Sequence, residues 1–227
     1  KRVFYGLLPE SISHEGYSAK PMHSYWDDAF AIRGLKDAVF LATYLGKEGQ
    51  AKEFARIRDE LTADVHASIR LVMERHGIDT LPGCAELGDF DATSTTATIA
   101  PGGELARLPR EAVERTFDRY LANVAKREAG EGELYTPYEL RTVGTFVRLD
   151  RRDDAFRLLG LFLRDLRPPE WNAWAEVVAR EPRAARQTQP TSGYWLLPRS
   201  TMSLLRSYCV GREVSRAFSA FSAATKF

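Results

Sequence analysis

The feature that most constrains the fold is the helical spacing of large apolar residues in two long neighbouring segments. From 27 to 45, apolar side chains recur at steps of three or four residues, and Gly46 follows the last of them. From 50 to 75 the same spacing returns, and this stripe ends at Gly77. A glycine directly after such a stripe is typical of a helix C-cap. The pattern predicts two helices that pack as an antiparallel hairpin.

Helical spacing returns later in the chain, over 110–126, 137–149, 153–166 and 200–214. Between Ile78 and Pro109 the chain is instead rich in Gly, Pro, Thr and Asp, and there we expect one short helix that Asp91 caps and that runs toward Ile99. Only 3–5 and 97–99 have the composition of short extended pieces. The sequence therefore predicts an all-α fold, an array of antiparallel hairpins joined by loops of which some are long.

Charge and hydropathy exclude several classes of partner. Lys and Arg total 32 against 31 Asp and Glu, so no overall field attracts nucleic acid or an anionic membrane. No apolar run approaches the roughly 20 residues that span a bilayer. We expect neither a nucleic-acid nor a membrane partner. The chain begins with Lys1 rather than Met, from which we expect a fragment or a processed product.

Metal, phosphate and nucleophile motifs are missing from the sequence. Its two cysteines, Cys84 and Cys209, lie far apart without a CxxC pair or a histidine at ligand spacing, which argues against a disulfide framework and a zinc site. Gly102 and Gly103 lack the residues that a phosphate-binding loop needs, and no Gly-x-Ser-x-Gly elbow occurs. We expect no metal and no cofactor.

The most informative stretch leads into the first predicted helix. Within about twenty residues, between 10 and 28, it gathers carboxylates, two histidines and three aromatic rings. Sugar sites use this mixture, because rings stack on the C–H face of a pyranose while carboxylates bind its hydroxyls and act as acid and base. The alternative interpretation is structural: Asp27 and Asp28 form an N-cap and a favourable first-turn charge, and Trp26 is a staple onto the core.

Three further clusters combine acids with aromatic rings: 86–93, 133–141 and 171–176. The first contains Asp89 and Asp91, which turn formation and helix capping explain equally well. In the second, Glu139 is either a site residue or part of a solvated first turn. The third places Trp174 and Glu176 after a diproline break, where two exposed tryptophans favour a functional role.

Several motifs resemble bacterial members of the six-hairpin glycosidase superfamily. The similarity runs from about Tyr5 to Arg183, and it is carried by Gly-Leu-Leu-Pro at 6–9, Ser-His-Glu-Gly-Tyr at 13–17, His-Ser-Tyr-Trp-Asp-Asp at 23–28, Arg-Gly-Leu-Lys-Asp-Ala at 33–38 and Gly-Asp-Phe-Asp-Ala-Thr-Ser-Thr-Thr at 88–96. The resemblance implies an (α/α)6 toroid whose loops form a sugar-binding funnel at one rim. It also implies relatives among rhamnosidases, glucoamylases and trehalase-like enzymes. The bacterial members that the chain resembles often carry linked discoidin-like domains.

A complete toroid of this family has twelve helices, and this chain is expected to supply only part of the ring. We expect residues 1–183 to be the C-terminal part of the catalytic domain. Beyond Arg183 the chain departs from the family pattern, and the genetic code allows a shifted frame through 190–196 to spell the His-x-Trp-Val-like stretch of related chains. We hypothesise that 184–227 is a frameshifted tail. The localisation stays open, although for the parent protein we expect an extracellular or periplasmic one.

The resemblance implies a glycoside hydrolase, inverting like most of its relatives, that acts on an oligo- or polysaccharide. Its acid is expected to be Asp28 or Glu15, and its base Glu176 or Glu139, since inverting relatives place the base later in the chain. The expected substrate-binding residues are the stacking rings Tyr25, Trp26 and Trp174 and the polar residues His23, Asp27, Asp89 and Asp91.

Two alternatives use the same residues differently. A sugar epimerase or a polysaccharide lyase on the same toroid needs a His or Tyr base, which His14, His23 or Tyr138 supplies. A non-catalytic carbohydrate-binding module needs no base, and its acids then only cap helices.

Overall fold

The structure is a computed structural model, and it describes residues 2–13, 17, 19–131 and 136–164. Six α-helices and no β-strand occur in these ranges, which confirms the predicted all-α fold class. The chain divides into two compact units, Lys1–Gly132 and Glu133–Phe227. The domain boundary predicted at 183 and the helix predicted over 200–214 lie outside the described residues.

The first unit contains four of these helices: α1 (Tyr25–Tyr44), α2 (Glu48–His76), α3 (Ala92–Ile99) and α4 (Arg110–Ala129). Helices α1 and α2 pack against each other across a short connection, so the predicted antiparallel hairpin is confirmed. Gly77 ends α2 in the left-handed conformation, with φ of 61°. A residue with a Cβ is strained there, which explains why glycine marks the end of this helix.

Helix α1 begins two residues before the predicted start, because Ser24 is its N-cap. The Ser24 hydroxyl accepts a hydrogen bond from the backbone N–H of Trp26 at 3.3 Å. Asp27 and Asp28 therefore lie in the first turn, where a negative charge interacts favourably with the helix dipole. The interpretation of either aspartate as the N-cap is wrong, whereas the expected first-turn position of both is confirmed.

The core of the first unit follows the apolar stripes of the sequence. Ile32 of α1 is fully buried, and so are Val65 and Val72 of α2 and Phe117 of α4. Burial of side chains this size removes each of them from water at a gain of about 1.5–3 kcal/mol. The spacing that predicted the helices is thus also the spacing that builds the core.

The two segments expected to be extended are helical instead. Arg2–Phe4 forms a short 3-10 helix, and residues 97–99 are the last turn of α3. In α3 the Asp91 carboxylate accepts the backbone N–H of Ser94 at 2.9 Å, which confirms the predicted cap. The hydroxyl of Thr96 donates to the carbonyl of Thr93. The Asp91 cap favours the helix over the extended backbone that β-branched residues otherwise prefer.

The described part of the second unit is a pair of helices, α5 (Leu140–Arg148) and α6 (Arg152–Arg164), preceded by a 3-10 turn at Pro137–Glu139. Its core contains Val143 and Phe146 of α5 with Leu158 and Phe162 of α6. Both helices were predicted, although the first turn at Pro137 is 3-10 rather than α-helical. Among the described helices of either unit, none is long and apolar enough to cross a bilayer.

Candidate functional site

The candidate site of the first unit surrounds the N-terminal end of α1. Two short stretches of backbone pair with the residues that lead into this helix: Ser11 bridges to Met22, and Ser24 bridges to Cys84. The first bridge folds the N-terminal segment back on the helix start. The second brings the 82–91 loop, which is distant in sequence, to the same helix end.

Asp28 is the most deeply buried acid at this helix end, with 1% of its surface exposed. Its Oδ1 accepts a hydrogen bond from the backbone N–H of Leu8 at 3.0 Å. Its Oδ2 is buried and has no hydrogen-bond partner. A buried carboxyl oxygen without a donor is costly when the group is ionised, so this oxygen is the natural position for a proton.

The surroundings raise the pKa of Asp28 from 3.8 to about 7. Burial is the main cause, because removing the carboxylate from water disfavours its charged form. The charge of Asp27 raises the pKa further, while the Leu8 hydrogen bond and the charge of His23 lower it. Asp28 is therefore a carboxyl that can hold a proton near neutral pH and release it there.

Asp27 ties the N-terminal segment to α1. The Ser11 hydroxyl donates to Oδ2 of Asp27, and the Ser13 hydroxyl donates to Oδ1 at 2.8 Å. Ser13 Oγ also lies 3.0 Å from the hydroxyl of the N-cap, Ser24. Both oxygens of Asp27 are thus engaged by serines, which gives this residue a structural role in the described arrangement.

His23 and Glu86 form a pair at the mouth of the same helix. The Nδ1 atom of His23 lies 2.5 Å from Oε1 of Glu86, and the backbone N–H of His23 donates to Oε2 at 3.0 Å. The ring of Phe4 stacks on the imidazole with 4.7 Å between centroids. Both partners are partly exposed, His23 to 16% of its side chain and Glu86 to 21%.

Asp89 holds the turn of the 82–91 loop together. Its Oδ1 accepts the backbone N–H of Cys84, and its Oδ2 accepts the hydroxyl of Tyr17, each at 3.1 Å. Burial raises the pKa of the Cys84 thiol to about 11 and also raises that of the Tyr17 phenol, with the negative charge of Asp89 acting in the same direction. Both groups are therefore in their neutral, protonated forms.

The two rings of the Tyr25-Trp26 pair differ in exposure. Tyr25 is buried, and its hydroxyl lies 2.8 Å from that of Ser68 in α2. Trp26 is half-buried, and its ring lies beside the exposed ring of Phe30 with 5.4 Å between centroids. Of the two, Trp26 presents more of its face to a ligand.

The remaining predicted residues fall in three groups. Asp91 caps α3, and Ser94 contacts both oxygens of its carboxylate. Glu139 ends the 3-10 turn before α5 in the second unit. Glu15, Trp174 and Glu176 lie outside the described residues, as do the alternative base His14 and the loop at 171–176. The structure thus brings His23, Trp26, Asp27 and Asp28 together, with Asp89 attached through Cys84.

Residues that the sequence interpretation did not select are essential to this arrangement. Glu86 belongs to a cluster recognised in the sequence, yet its partnership with His23 spans 63 residues and leaves no local pattern. Ser11 and Ser13 are ordinary loop serines by sequence. The contribution of Leu8 is a backbone N–H, which no side-chain pattern reveals.

A second buried ionic cluster lies in the first unit. Glu104 is 3% exposed and accepts hydrogen bonds from Lys36 Nζ and, at 3.0 Å, from His66 Nε2. Lys36 Nζ also donates to the carbonyl of Gly102 at 2.6 Å. Burial raises the pKa of Glu104, but the bonds from Lys36 and His66 together outweigh it, so the net pKa is lowered. The cluster joins α1, α2 and the turn before α4.

The described residues contain no metal-binding cluster, and comparison with known proteins identifies no relative. Within the described ranges, no group of three or more His, Cys, Asp or Glu side chains is arranged to hold a metal ion. Comparison of the chain with protein-family models, with curated proteins and with solved structures gives no significant match.

Proposed function

We propose that this chain belongs to a glycoside hydrolase and that the buried carboxyl of Asp28 is its general acid. The supporting observation is the state of that carboxyl: its pKa is about 7, and its Oδ2 has no hydrogen-bond partner. A general acid works best when its pKa is close to the working pH, since it must be protonated and still able to donate. In glycosidases, this group protonates the oxygen of the leaving sugar.

The neighbouring residues suit a sugar ligand. Trp26 offers a half-buried aromatic face for the C–H side of a pyranose. His23 and Glu86 add polar groups that are partly exposed at the same helix end. Asp27 and Asp89 support the site, because both already hold loop residues in place.

The base of the proposed pair comes from a later part of the chain, with Glu139 and Glu176 as the candidates. An inverting enzyme needs its two carboxyl groups roughly 6.5–9.5 Å apart, so that a water fits between the base and the sugar. The resemblance to six-hairpin glycosidases supports this assignment, because inverting relatives place the base later in the chain. That fold is built from hairpins such as α1–α2, which a long loop follows. We propose that these hairpins form part of an (α/α)6 toroid.

Access to Asp28 sets a condition on this mechanism. Since Oδ2 is buried, a glycosidic oxygen reaches it only when a covering segment moves. The N-terminal segment is a suitable candidate, because it is attached to α1 through the serines that bind Asp27 and the single N–H of Leu8.

The test is hydrolysis of a panel of aryl glycosides and polysaccharides by the full-length protein to which this chain belongs, with anomer-resolved NMR of each product. We expect an inverted product from at least one substrate. Asp28→Asn should lower kcat by about 10²- to 10⁴-fold, because a positioned general acid contributes a factor of this size. Glu139→Gln and Glu176→Gln, tested separately, identify the base.

The matched control is Asp37→Asn, which changes an acid that is half exposed on the same helix and paired with Arg33. This variant should keep wild-type turnover. Equal turnover by the Asp28→Asn variant and the wild type removes Asp28 from the mechanism. If the wild type and all variants bind saccharide without turnover, the result instead favours the non-catalytic module.

A second function is favoured by one observation, the pairing of His23 with Glu86. A histidine held by a carboxylate is a common general base, and a polysaccharide lyase or a sugar epimerase needs such a base. Product analysis separates these reactions from hydrolysis. A lyase leaves an unsaturated end that absorbs ultraviolet light, and an epimerase leaves the mass of the sugar unchanged.

A further inference from the structure

The backbone around His23 fixes the position of Glu86. The N–H of Tyr25 donates to the carbonyl of Gly83 at 3.1 Å, and the N–H of Ala85 donates to the carbonyl of His23 at 3.0 Å. These two bonds form the bridge between Ser24 and Cys84. Glu86 follows shortly after this bridge. The backbone therefore holds its carboxylate beside the imidazole of His23.

The hydrogen bonds of Glu86 determine which ring nitrogen carries the proton. A carboxylate can only accept, and Glu86 already accepts the backbone N–H of His23. Its Oε1 lies 2.5 Å from Nδ1, so Nδ1 must be the donor in this contact. In the neutral ring the proton is then on Nδ1, and Nε2 carries a lone pair.

One face of the imidazole is covered, and part of the ring is exposed. Phe4 covers a face of the imidazole at 24° between ring planes. Within the described ranges no hydrogen bond reaches Nε2, and this atom is not one of the buried polar atoms that lack a partner. With 16% of the side chain exposed, Nε2 is the polar atom of the ring that a ligand can meet.

We propose that Glu86 is a positioning residue that fixes His23 as the Nδ1–H tautomer and so presents Nε2 as a hydrogen-bond acceptor. The geometry selects a ligand with a donor at this point, and a hydroxyl fits because it can donate to a lone pair. The proposal rests on the proposed function only in taking that hydroxyl to be a sugar hydroxyl. A ligand with an ether or a carbonyl at this position would find no donor on the neutral ring.

The experiment is a long-range ¹H–¹⁵N NMR correlation of the imidazole rings in the full chain, near pH 8. The protein has four histidines, and His23→Gln identifies the signal of interest. We expect His23 to show a protonated Nδ1 and an unprotonated Nε2, and exposed His76 to show the mixture of tautomers of a free imidazole. A wild-type His23 with its proton on Nε2 overturns the proposal.

Two variants at Glu86 separate positioning from general support of the fold. Glu86→Gln keeps an amide oxygen that accepts the Nδ1–H, and it should retain the wild-type His23 pattern. Glu86→Ala removes every acceptor, and it should move His23 toward the mixed pattern of His76. A His23 signal that is unchanged in Glu86→Ala also overturns the proposal. The wild-type spectrum decides the tautomer even where the alanine variant does not fold.

This readout needs neither substrate nor turnover, so it fails or succeeds independently of the glycosidase proposal. An Nδ1–H tautomer that responds to Glu86→Ala supports positioning by Glu86 even when no glycoside is hydrolysed. An inactive Asp28→Asn variant together with an Nε2–H tautomer supports the hydrolase and removes the role of Glu86.

Discussion

The backbone N–H of Leu8 donates to Oδ1 of Asp28 across 3.0 Å and leaves Oδ2 of the same buried carboxyl without a partner. The bond lowers the pKa of Asp28, but burial raises it more, to about 7 from 3.8. The difference of about 3 pKa units corresponds to roughly 4 kcal/mol at about 1.4 kcal/mol per unit. Ionised Asp28 therefore destabilises the folded state by an amount comparable to a large core defect.

Asp28→Asn should remove this dependence of stability on pH. Because the folded state binds the proton more tightly than the unfolded chain, the contribution of Asp28 to stability is complete below about pH 4 and is lost as pH rises to about 7. Asparagine stays neutral throughout. Urea unfolding at pH 4, 5.5 and 8 should show the variant close to wild type at pH 4 and about 2–4 kcal/mol more stable at pH 8.

The control for this measurement is Asp37→Asn, whose side chain is half exposed. Its stability difference from wild type should be small and should vary little over the same pH range, because exposed ion pairs contribute about 0–1 kcal/mol. Parallel pH profiles for Asp28→Asn and wild type would show that the folded state does not hold the Asp28 proton.

The carboxylate of Glu104 should make stability depend on pH with the sign opposite to that of Asp28. Although burial raises its pKa, the bonds from Lys36 and His66 lower it overall, so its stabilisation is present above its unfolded pKa and is lost as pH falls. Glu104→Gln should cost about 3 kcal/mol at pH 7, since it leaves buried donors without their anion. The cost should shrink as the pH falls below the ordinary glutamate pKa and toward the lowered pKa of the folded state, where the wild-type carboxyl is protonated. Urea unfolding at pH 7 and pH 3 measures both values.

Glu53→Gln is the matched control for Glu104, because Glu53 is exposed and its pKa is lowered by Arg56 on the surface of α2. Solvent and salt screen that pair. Equal losses of stability from Glu53→Gln and Glu104→Gln would contradict the importance of the buried cluster.

Two substitutions of Ser13 distinguish the stability contributed by its hydrogen bond from the cost of its strained backbone. Its φ is 42°, in the left-handed region, and its hydroxyl binds Asp27. Ser13→Ala loses the bond and keeps the strain, so it should cost about 1 kcal/mol. Ser13→Gly loses the same bond but relieves a strain of about 1 kcal/mol, and it should be close to neutral. Thermal unfolding ranks the two variants, and equal melting temperatures would contradict this account.

Local sequence patterns were sufficient to predict the helices. The apolar stripes of α1 and α2 and the glycine after α2 act within a few residues, and the structure has these helices within two residues of their predicted ends. The start of α1 was misplaced because aspartate and serine are equally good caps, and only the backbone geometry at Ser24 distinguishes them. The extended piece expected at 97–99 was wrong because the Asp91 cap favours a helix over the β propensity of the threonines.

The chemistry of the site was less predictable, since it depends on contacts between distant segments. Asp28 was a candidate from its motif, but its high pKa comes from burial by the whole first unit. The partner of His23 lies 63 residues away, where the bridge between Ser24 and Cys84 brings it. No local pattern contains that pairing. The sequence therefore suggested which residues have suitable chemistry, and the fold determines which of them act together.

Gly83 offers a steric test of the loop that carries Glu86 and Asp89. A Cβ at this position would lie 2.8 Å from the Cβ of Asp91 and 2.9 Å from the hydroxyl oxygen of Tyr17. The tyrosine can shift at the expense of its bond to Asp89, but the Asp91 Cβ cannot move without its helix. Gly83→Ala should therefore destabilise the protein by about 1–3 kcal/mol, as overpacked positions do.

Gly34→Ala makes the same change inside α1, where a Cβ meets nothing within 4 Å. It should stabilise the protein by about 0.5–1 kcal/mol, because alanine is the better helix former. Urea unfolding of both variants measures the two signs, and a Gly83→Ala variant as stable as Gly34→Ala would mean that the loop is not packed against Tyr17 and Asp91.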